Sequence, residues 1–565
     1  GLYQQVWRLF GLKDFIRLLN AVSFYSLLVL VSTRLLLPRL GLSTPGIPLG
    51  VAVIDWCFCL MGMVLIRYGR RRSVRQPLWS RRKTHHPRQR VLLIGAGQAG
   101  AMMVQEIRYN PELAMSVVGF IDDDRSKVGR RVEGVRVLGT TADLVAIAEA
   151  NQVSEVLIAM PSAQAVDIRR IVDQLRGTPF TLKILPGQAE LLRDRSLTPQ
   201  VRALQIQDIL GRPEIRLDFA TELTAQFPSA SEQVYQKTVL VTGAGGTIGS
   251  EICRQLARLE PRQLLLLGRG ENSIFNIQQE LRRTFPYLET QALIADIRHT
   301  ARIEHLLQTW RPQLLFHAAA HKHVPLMEHN PSEALENNTL ASAHLAQLAA
   351  QAEVQAFVMI STDKAVDPAN FMGLSKRLAE LLVRPLAAQH PTRFLTVRFG
   401  NVLGSRGSVV PIFQAQIARG GPVTVTDAAM TRYFMTTPEA SQLVIQSLAV
   451  GKSGQILILD MGEPVRIYDL AEQMIYLAGY QPGVEIPIQI MGLRPGEKLH
   501  EALFTNREQL CATAHPKIRA VDSALPSPDI YGEILNELEQ TVQTERSPQT
   551  LWQLTQQYQA RLEHL

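Results

Sequence analysis

The stretch 237–251, Lys-Thr-Val-Leu-Val-Thr-Gly-Ala-Gly-Gly-Thr-Ile-Gly-Ser-Glu, constrains the fold of this chain more than any other. A β-branched, apolar run ends at Thr242, glycines follow at Gly243, Gly246 and Gly249, and a helical pattern starts beyond them. A chain passes that abruptly from strand to helix only where side chains are absent. The unpaired amides at the helix start can then face a phosphate. The expected unit is a β-α turn of a doubly wound parallel sheet, with Gly243, Gly246, Thr247, Ile248 and Gly249 against a dinucleotide.

Further buried strands follow in the order such a sheet requires. The strand 264–267 ends at Gly268 and Arg269. An acidic side chain there would select NAD by bonding the ribose hydroxyls, whereas Arg269 can accept a 2′-phosphate or stack on adenine. The cofactor is read as NAD, with NADP left open. Asp296 and Ile297 end the next strand, where Asp296 is placed to bond the adenine edge. The run Leu314-Leu-Phe-His then gives way to Ala318, Ala319 and Ala320, whose small side chains let a cofactor lie close. His317, His321 and His323 sit at this strand end without a carboxylate pattern, and no metal is expected.

The segment 356–376 carries the chemistry. An apolar strand ends in Ser361-Thr362-Asp363-Lys364, and Met372 and Lys376 stand four apart at a helix start, on one face. Ligands bind at the carboxyl ends of parallel strands. The glycine spacing and motif order resemble the extended short-chain dehydrogenase/reductases, in which the first of those two positions is usually a Tyr acid/base and the Lys holds the nicotinamide ribose. Met372 cannot move a proton. Either the domain only binds, or the proton work has moved to Thr362, Asp363 and Lys364, and the second reading is favoured.

More specifically, the chain resembles the membrane-anchored nucleotide-sugar 4,6-dehydratases of the CapD-like polysaccharide-biosynthesis family. The resemblance rests on Thr242–Ser250, HAAAHKHVPLME (317–328), STDKAVDPANFMGLSK (361–376), RFGNV (398–402), MTRYFM (430–435) and LRPGEK (493–498). His321 departs from the family's usual Tyr, and Arg269 from its frequent His. The resemblance implies a hydro-lyase acting on UDP-N-acetylglucosamine or close kin for surface polysaccharide or glycan synthesis. Met372 resembles the subgroup that retains C5 configuration. Lys364 is expected as the C5 base and Asp363 as the acid for the C6 hydroxyl. Thr362 is expected on O4 and Lys376 on the ribose. Lys322, Asn401, Arg432 and Arg494 are expected to bind the UDP-sugar, since arginine forks suit a diphosphate. A C5-inverting dehydratase, a 4-epimerase and a non-catalytic membrane-anchored nucleotide sensor are the competing readings.

A second glycine turn lies upstream, at Val91-Leu-Leu-Ile-Gly95-Ala-Gly97-Gln-Ala-Gly100, with Asp122-Asp123-Asp124 about 20 residues on, as a ribose-binding acid would be. No acid/base group follows. This domain is read as a nucleotide binder or a structural or regulatory unit, without catalysis.

Two apolar segments precede it, 21–37 interrupted by Arg34 and 47–66 with Asp55 its one charge, joined by a turn at Pro45 and Gly46. They suggest a transmembrane hairpin. Ten Lys/Arg and no acid lie from Arg67 to Arg90, more than the whole net charge of +8, so the basic character is local and does not mark a nucleic-acid-binding face. Arg8, Lys13 and Arg17 precede the hairpin, which puts both ends, and the domains beyond, on the cytoplasmic side of an inner membrane with anionic lipid as a partner. The four cysteines show no zinc or disulfide spacing, in keeping with a reducing compartment. Because the chain starts at Gly1, further N-terminal residues are expected, and the resemblance implies two more membrane helices among them.

The fold class expected is α/β. Residues 1–90 form the hairpin and linker, 91–212 a first Rossmann-like domain, 213–236 a connector, 237–525 the catalytic domain and 526–565 a helical tail for packing or oligomer contacts. A homo-oligomer is expected.

Overall fold

The computed structural model describes residues 12–33, 48–75, 89–110, 113–161, 163, 165–175, 177–178, 180–185, 202–204, 208, 229–522, 531–545 and 547–563. The chain falls into two units, divided after Pro87.

The first unit holds helices α1 (Leu12–Val31) and α2 (Leu49–Arg75), which pack on one another, with Trp56 Nε1 donating to Ser23 Oγ at 3.0 Å. Phe24, Leu27, Leu28, Val53, Ile54 and Phe58 are exposed, although a helix in water normally turns such side chains inward. Among the described residues, no helix is long and apolar enough to cross a membrane. The expected hairpin is thus present as a helical pair without a span. Its second helix carries Asp55 within the apolar part and continues through the arginine-rich segment as far as Arg75. The turn at Pro45 and Gly46, Arg34, and the basic residues from Arg81 to Arg88 lie outside the described residues.

The second unit opens with a seven-stranded sheet. Its strands are β1 (Gln89–Ile94), β2 (Met115–Ile121), β3 (Arg131–Val132), β4 (Val135–Gly139), β5 (Glu155–Ile158), β6 (Thr181–Ile184) and β7 (Arg202–Ala203). They lie in the order β3-β4-β2-β1-β5-β6-β7, with β4, β2, β1, β5 and β6 parallel. Leu92 and Ile94 face one core and Val91 and Leu93 another. A parallel strand covered on both faces therefore reads as an unbroken apolar run. Helix α3 (Gln98–Tyr109) follows β1 across the glycine turn.

Most of the connector lies outside the described residues. Its end is a short helix, Ala230–Val234, closed by a capping box between Ser229 and Glu232.

The larger sheet has nine strands: β8 (Thr238–Thr242), β9 (Gln263–Gly268), β10 (Glu289–Ile294), β11 (Leu314–His317), β12 (Ala356–Ile360), β13 (Arg393–Arg398), β14 (Ile456–Leu459), β15 (Gln509–Ala512) and β16 (Ile518–Asp522). Their order is β10-β9-β8-β11-β12-β13-β14-β16-β15, parallel as far as β14. The chain reverses direction of travel between β8 and β11, and a crevice opens at the strand ends where such a reversal occurs. Three short ladders build a cap beside it, pairing Asn401–Val402 with Phe434–Met435, Val423–Val425 with Ile488–Ile490, and Thr431–Arg432 with Val465–Arg466.

Helix α4 (Thr247–Ala257) follows β8 and helix α5 (Phe371–Val383) follows β12. Helices α6 (Tyr531–Thr544) and α7 (Pro548–Glu563) pack into the domain of the larger sheet itself. Ile534, Leu538, Leu551 and Leu562 share a core with Leu374 and Leu378 of α5, and Phe371 meets Trp552 edge-on at 5.1 Å. Each such buried side chain stabilises by about 1.5–3 kcal/mol.

Candidate active site

The β8–α4 turn is shaped by contacts that admit no side chain. Gly243 has φ +66°, and a Cβ there would lie 2.7 Å from the Ala319 amide nitrogen. A Cβ on Gly249 would lie 2.2 Å from the Gly243 carbonyl oxygen. Helix α4 begins at Thr247, after Gly246, with no side chain capping its start. The open helix end, with Ala318 and Ala319 against the glycine turn and Ala320 exposed just beyond them, makes a cradle that fits a dinucleotide pyrophosphate. Ile248 is half-buried within the first turn.

The neighbouring strand ends hold charges already in contact with one another. Arg269, exposed after β9, lies 4.0 Å from Glu333, and His321 Nε2 lies 2.9 Å from the same carboxylate. Asp296 accepts from Arg298 Nε at 3.0 Å and Nη2 at 2.7 Å, and those bonds hold its carboxyl at about 2. Ile297 is buried beside it. His317 is buried between Thr242 Oγ1 and Ser342 Oγ, both at 2.8 Å, and burial pushes it down to about 3, so it stays neutral. Among the described residues, no group of three or more His, Cys, Asp or Glu is placed to hold a metal ion.

Beyond β12 the groups expected to react come together. Thr362 Oγ1 donates to Asp363 Oδ1 at 2.8 Å, and Lys364 Nζ donates to the same oxygen at 3.0 Å and to Asn401 Oδ1 at 3.2 Å. The Asp363 side chain is fully buried, and its Oδ2 has no partner among the described residues. A buried acceptor left open is costly, and it is a ready place for a hydroxyl to donate. Met372 is buried on the first turn of α5, with Lys376 one turn on. Burial lowers the Lys376 ammonium to about 8, against the opposing charge of Glu380.

Several residues that shape this site were assigned no role from the sequence. Asn370 caps α5, accepting from Gly373 N at 2.7 Å, while its amide donates to the Gly496 carbonyl at 2.8 Å. Its place before a helical run is a legible capping signal. Glu328 accepts from Phe371 N at 2.7 Å, and Lys498 Nζ donates to the Val366 carbonyl at 2.9 Å. The loop 493–498 is thereby laced to the turn that holds Lys364. Glu380 and Arg398, both wholly buried, pair at 2.6 Å, and Ser361 Oγ donates to Glu380 at 2.6 Å. Burial works to raise Glu380, but the Arg398 charge and hydrogen bonds override it and hold it at about 2.

The expected substrate-binding residues fall into two sets. Asn401 joins the Thr362–Asp363–Lys364 cluster through Lys364. Buried Arg432 donates to the carbonyls of Thr431, Lys498 and Leu499. Arg494 and Lys322 are exposed, and Lys322 Nζ reaches Ser405 Oγ at 3.4 Å. Arg406, on the same loop as Ser405, was given by no motif role. Its amide reaches Thr247 Oγ1 at 3.4 Å, so this loop lies across the start of α4.

The upstream domain repeats the glycine geometry. Gly95 has φ +102°, a Cβ on Gly100 would lie 2.1 Å from the Gly95 carbonyl oxygen, and Gly97 leaves the start of α3 without a side-chain cap. Asp122 accepts from Ala96 N at 2.8 Å and Lys127 Nζ at 2.9 Å, and Asp123 from Thr141 and Arg170. The expected acid therefore closes onto the glycine turn itself.

Comparison with known proteins gives two family matches. Residues 239–523 match the polysaccharide biosynthesis protein family, and residues 17–186 match a CoA-binding domain family. The chain is 40% identical to the probable polysaccharide biosynthesis protein EpsC of Bacillus subtilis (strain 168), across 93% of this chain and 85% of that protein. Against the capsular polysaccharide biosynthesis protein CapD of Staphylococcus aureus it is 43% identical, across 74% of this chain and 69% of that protein. A UDP-glucose 4-epimerase of Rickettsia akari (strain Hartford) is 31% identical, across 48% of this chain and 79% of that protein.

Proposed function

From the premise that this chain belongs to the polysaccharide biosynthesis protein family, we propose that it is an NAD(P)-dependent 4,6-dehydratase of UDP-N-acetylglucosamine. It yields the UDP-4-keto-6-deoxy sugar with retention at C5, as a step toward a surface polysaccharide or glycan. One observation carries this reading. Met372 stands where a proton-moving Tyr would face Lys376, while Thr362, Asp363 and Lys364 form a hydrogen-bonded, largely buried cluster at the adjoining strand end.

When bound, a nicotinamide would supply the two-electron exchange, accepting in its oxidised form as C4 becomes a ketone and donating in its reduced form at C6. The chain's own groups manage the protons. Thr362 bonds O4, and its hydrogen bond to Asp363 offers the O4 proton a path to that carboxylate. Asp363 then gives a proton to the departing C6 hydroxyl. Lys364, in its neutral amine form, removes the C5 proton, which the ketone has acidified. Lys376 holds the nicotinamide ribose. Lys322 and Arg494 take the diphosphate, Asn401 aligns Lys364, and Arg432 acts by fixing the strap 498–501.

Identity to 4-epimerases supports a second reading in which hydride returns to C4. That chemistry needs no elimination at C6 and normally uses the Tyr, so Met372 favours the dehydratase.

We also place the protein on the cytoplasmic face of an inner membrane, anchored by α1 and α2. Their exposed apolar side chains and the basic segment beyond support this.

The test is turnover of UDP-N-acetylglucosamine in deuterium oxide. The wild type is expected to give a 4-keto-6-deoxy product with solvent deuterium at C5, and Lys364→Ala to abolish that incorporation. Near-normal incorporation in Lys364→Ala removes Lys364 as the base.

A further inference from the structure

The loop 404–408 leaves the cap strand Asn401–Val402 and reaches the β8–α4 turn. Gly404 and Gly407 stand at φ +68° and +69° on either side of Ser405 and Arg406, a backbone course that favours glycine. Three contacts seat the loop. The Arg406 amide meets Thr247 Oγ1 at 3.4 Å, and Lys322 Nζ meets Ser405 Oγ at 3.4 Å. Gly407 lies so close to the His323 ring that a Cβ there would stand 2.5 Å from Cε1. The Arg406 side chain comes to the same place, with Nη1 3.5 Å from the Gly245 carbonyl oxygen.

This is an unfavourable place for a cation. Helix α4 starts at Thr247 with no side-chain cap, so its first amides and the positive end of its dipole lie beside Arg406. Among the described residues no carboxylate pairs with Arg406, and the long contact to Gly245 is the only hydrogen bond its guanidinium makes. A guanidinium carries five N–H donors, so most of them are open. Open amides and an open guanidinium therefore meet at one turn, and a bound anion turns their mutual repulsion into attraction to itself.

We propose that Arg406 is a cofactor-binding residue, whose guanidinium bonds the pyrophosphate of the dinucleotide together with the α4 amides. Loop 404–408 thereby straps the cofactor onto the β8–α4 turn. The inference rests on the dinucleotide reading of that turn, and not on the assignment of acid and base. It suits the proposed cycle, which returns the cofactor to its starting form and requires no release. Arginine fits the task because its planar fork can bond two oxygens of a diphosphate at once.

The test measures binding to the purified full chain after removal of any bound nucleotide. NADH and NADPH are titrated by their fluorescence, and UDP by calorimetry. In Arg406→Gln, whichever dinucleotide the wild type binds should bind about ten- to a hundredfold more weakly, the loss expected for hydrogen bonds to a charged group. Its binding should also depend less on salt, because an ion pair has been removed. UDP affinity should stay as in wild type. Arg406→Lys, which keeps the charge and loses the fork, should fall between the two and carries the test if Arg406→Gln does not fold. Wild-type dinucleotide affinity in Arg406→Gln overturns the proposal. A loss confined to UDP also overturns it, because Arg406 then serves the substrate's diphosphate. Equal weakening of dinucleotide and UDP overturns it too, as a general disturbance of the loop. Each of these results with a wild type that binds dinucleotide defeats this inference alone. A wild type that binds neither NADH nor NADPH defeats the proposed function and this inference with it.

Discussion

Substitution of Gly243 by Ala puts the cofactor cradle to a graded test. A methyl at this position meets two costs. The backbone stands at φ +66°, where an L side chain costs roughly 1–2 kcal/mol. The new Cβ would also lie 2.7 Å from the Ala319 nitrogen and 2.8 Å from the Ala318 carbonyl, both backbone atoms that cannot swing aside. Overpacking of that kind costs roughly 1–3 kcal/mol. Together these make roughly 2–5 kcal/mol, and each 1.4 kcal/mol is about tenfold in an equilibrium constant. If the turn opens to relieve the overlap, that loss appears in cofactor affinity; if it holds, the loss appears as a lower melting temperature. Calorimetric titration with NAD and NADP, together with thermal denaturation, reads both. The upstream Gly97 is the control, since a Cβ there meets nothing within 4 Å. Gly97→Ala should leave cofactor affinity and stability unchanged. Gly243→Ala with wild-type affinity and wild-type melting would refute the cradle.

Two further outcomes follow from buried charge. His317 is held neutral down to about pH 3 while the unfolded chain's histidine protonates near 6.5; its contribution to stability is therefore present above 6.5 and should fall by about 1.4 kcal/mol per pH unit below it. Chemical denaturation of wild type against His317→Gln at about pH 6 and 5 reads that slope, and equal slopes contradict it. Arg398→Met leaves the buried Glu380 carboxylate with only Arg377 and Ser361 and also removes the Arg398 partner of Glu508, and should cost roughly 3–5 kcal/mol. Pairing it with Glu380→Leu should recover part of the loss in urea denaturation, and simple additivity contradicts the pairing.

The parts of this fold legible from sequence are those where one residue type is forced. Gly243 and Gly249 admit no Cβ, the strands buried on both faces are continuous apolar runs, and Thr362, Asp363 and Lys364 stand at a strand end where ligands bind. Less legible were contacts between segments far apart in the chain. Asn370 meets Gly496, Lys498 meets Val366, and Arg432 meets Lys498 and Leu499, so an arginine with a fork suited to phosphate also holds a loop. Asp296 was expected on the adenine edge from its place after a strand, but nothing in that placement shows that Arg298, two residues on, grips both its oxygens. The helices α6 and α7 carried an amphipathic pattern that does not say which surface they cover, and they cover α5.

The most direct test of the dehydratase account follows the hydrogen on C4. With substrate deuterated at C4, the purified protein should deliver that deuterium to C6 of a UDP-4-keto-6-deoxy-N-acetylhexosamine, with the C5 hydrogen drawn from solvent. Recovery of the deuterium at C4 of an epimerised sugar, or binding of cofactor and substrate without turnover, would contradict it.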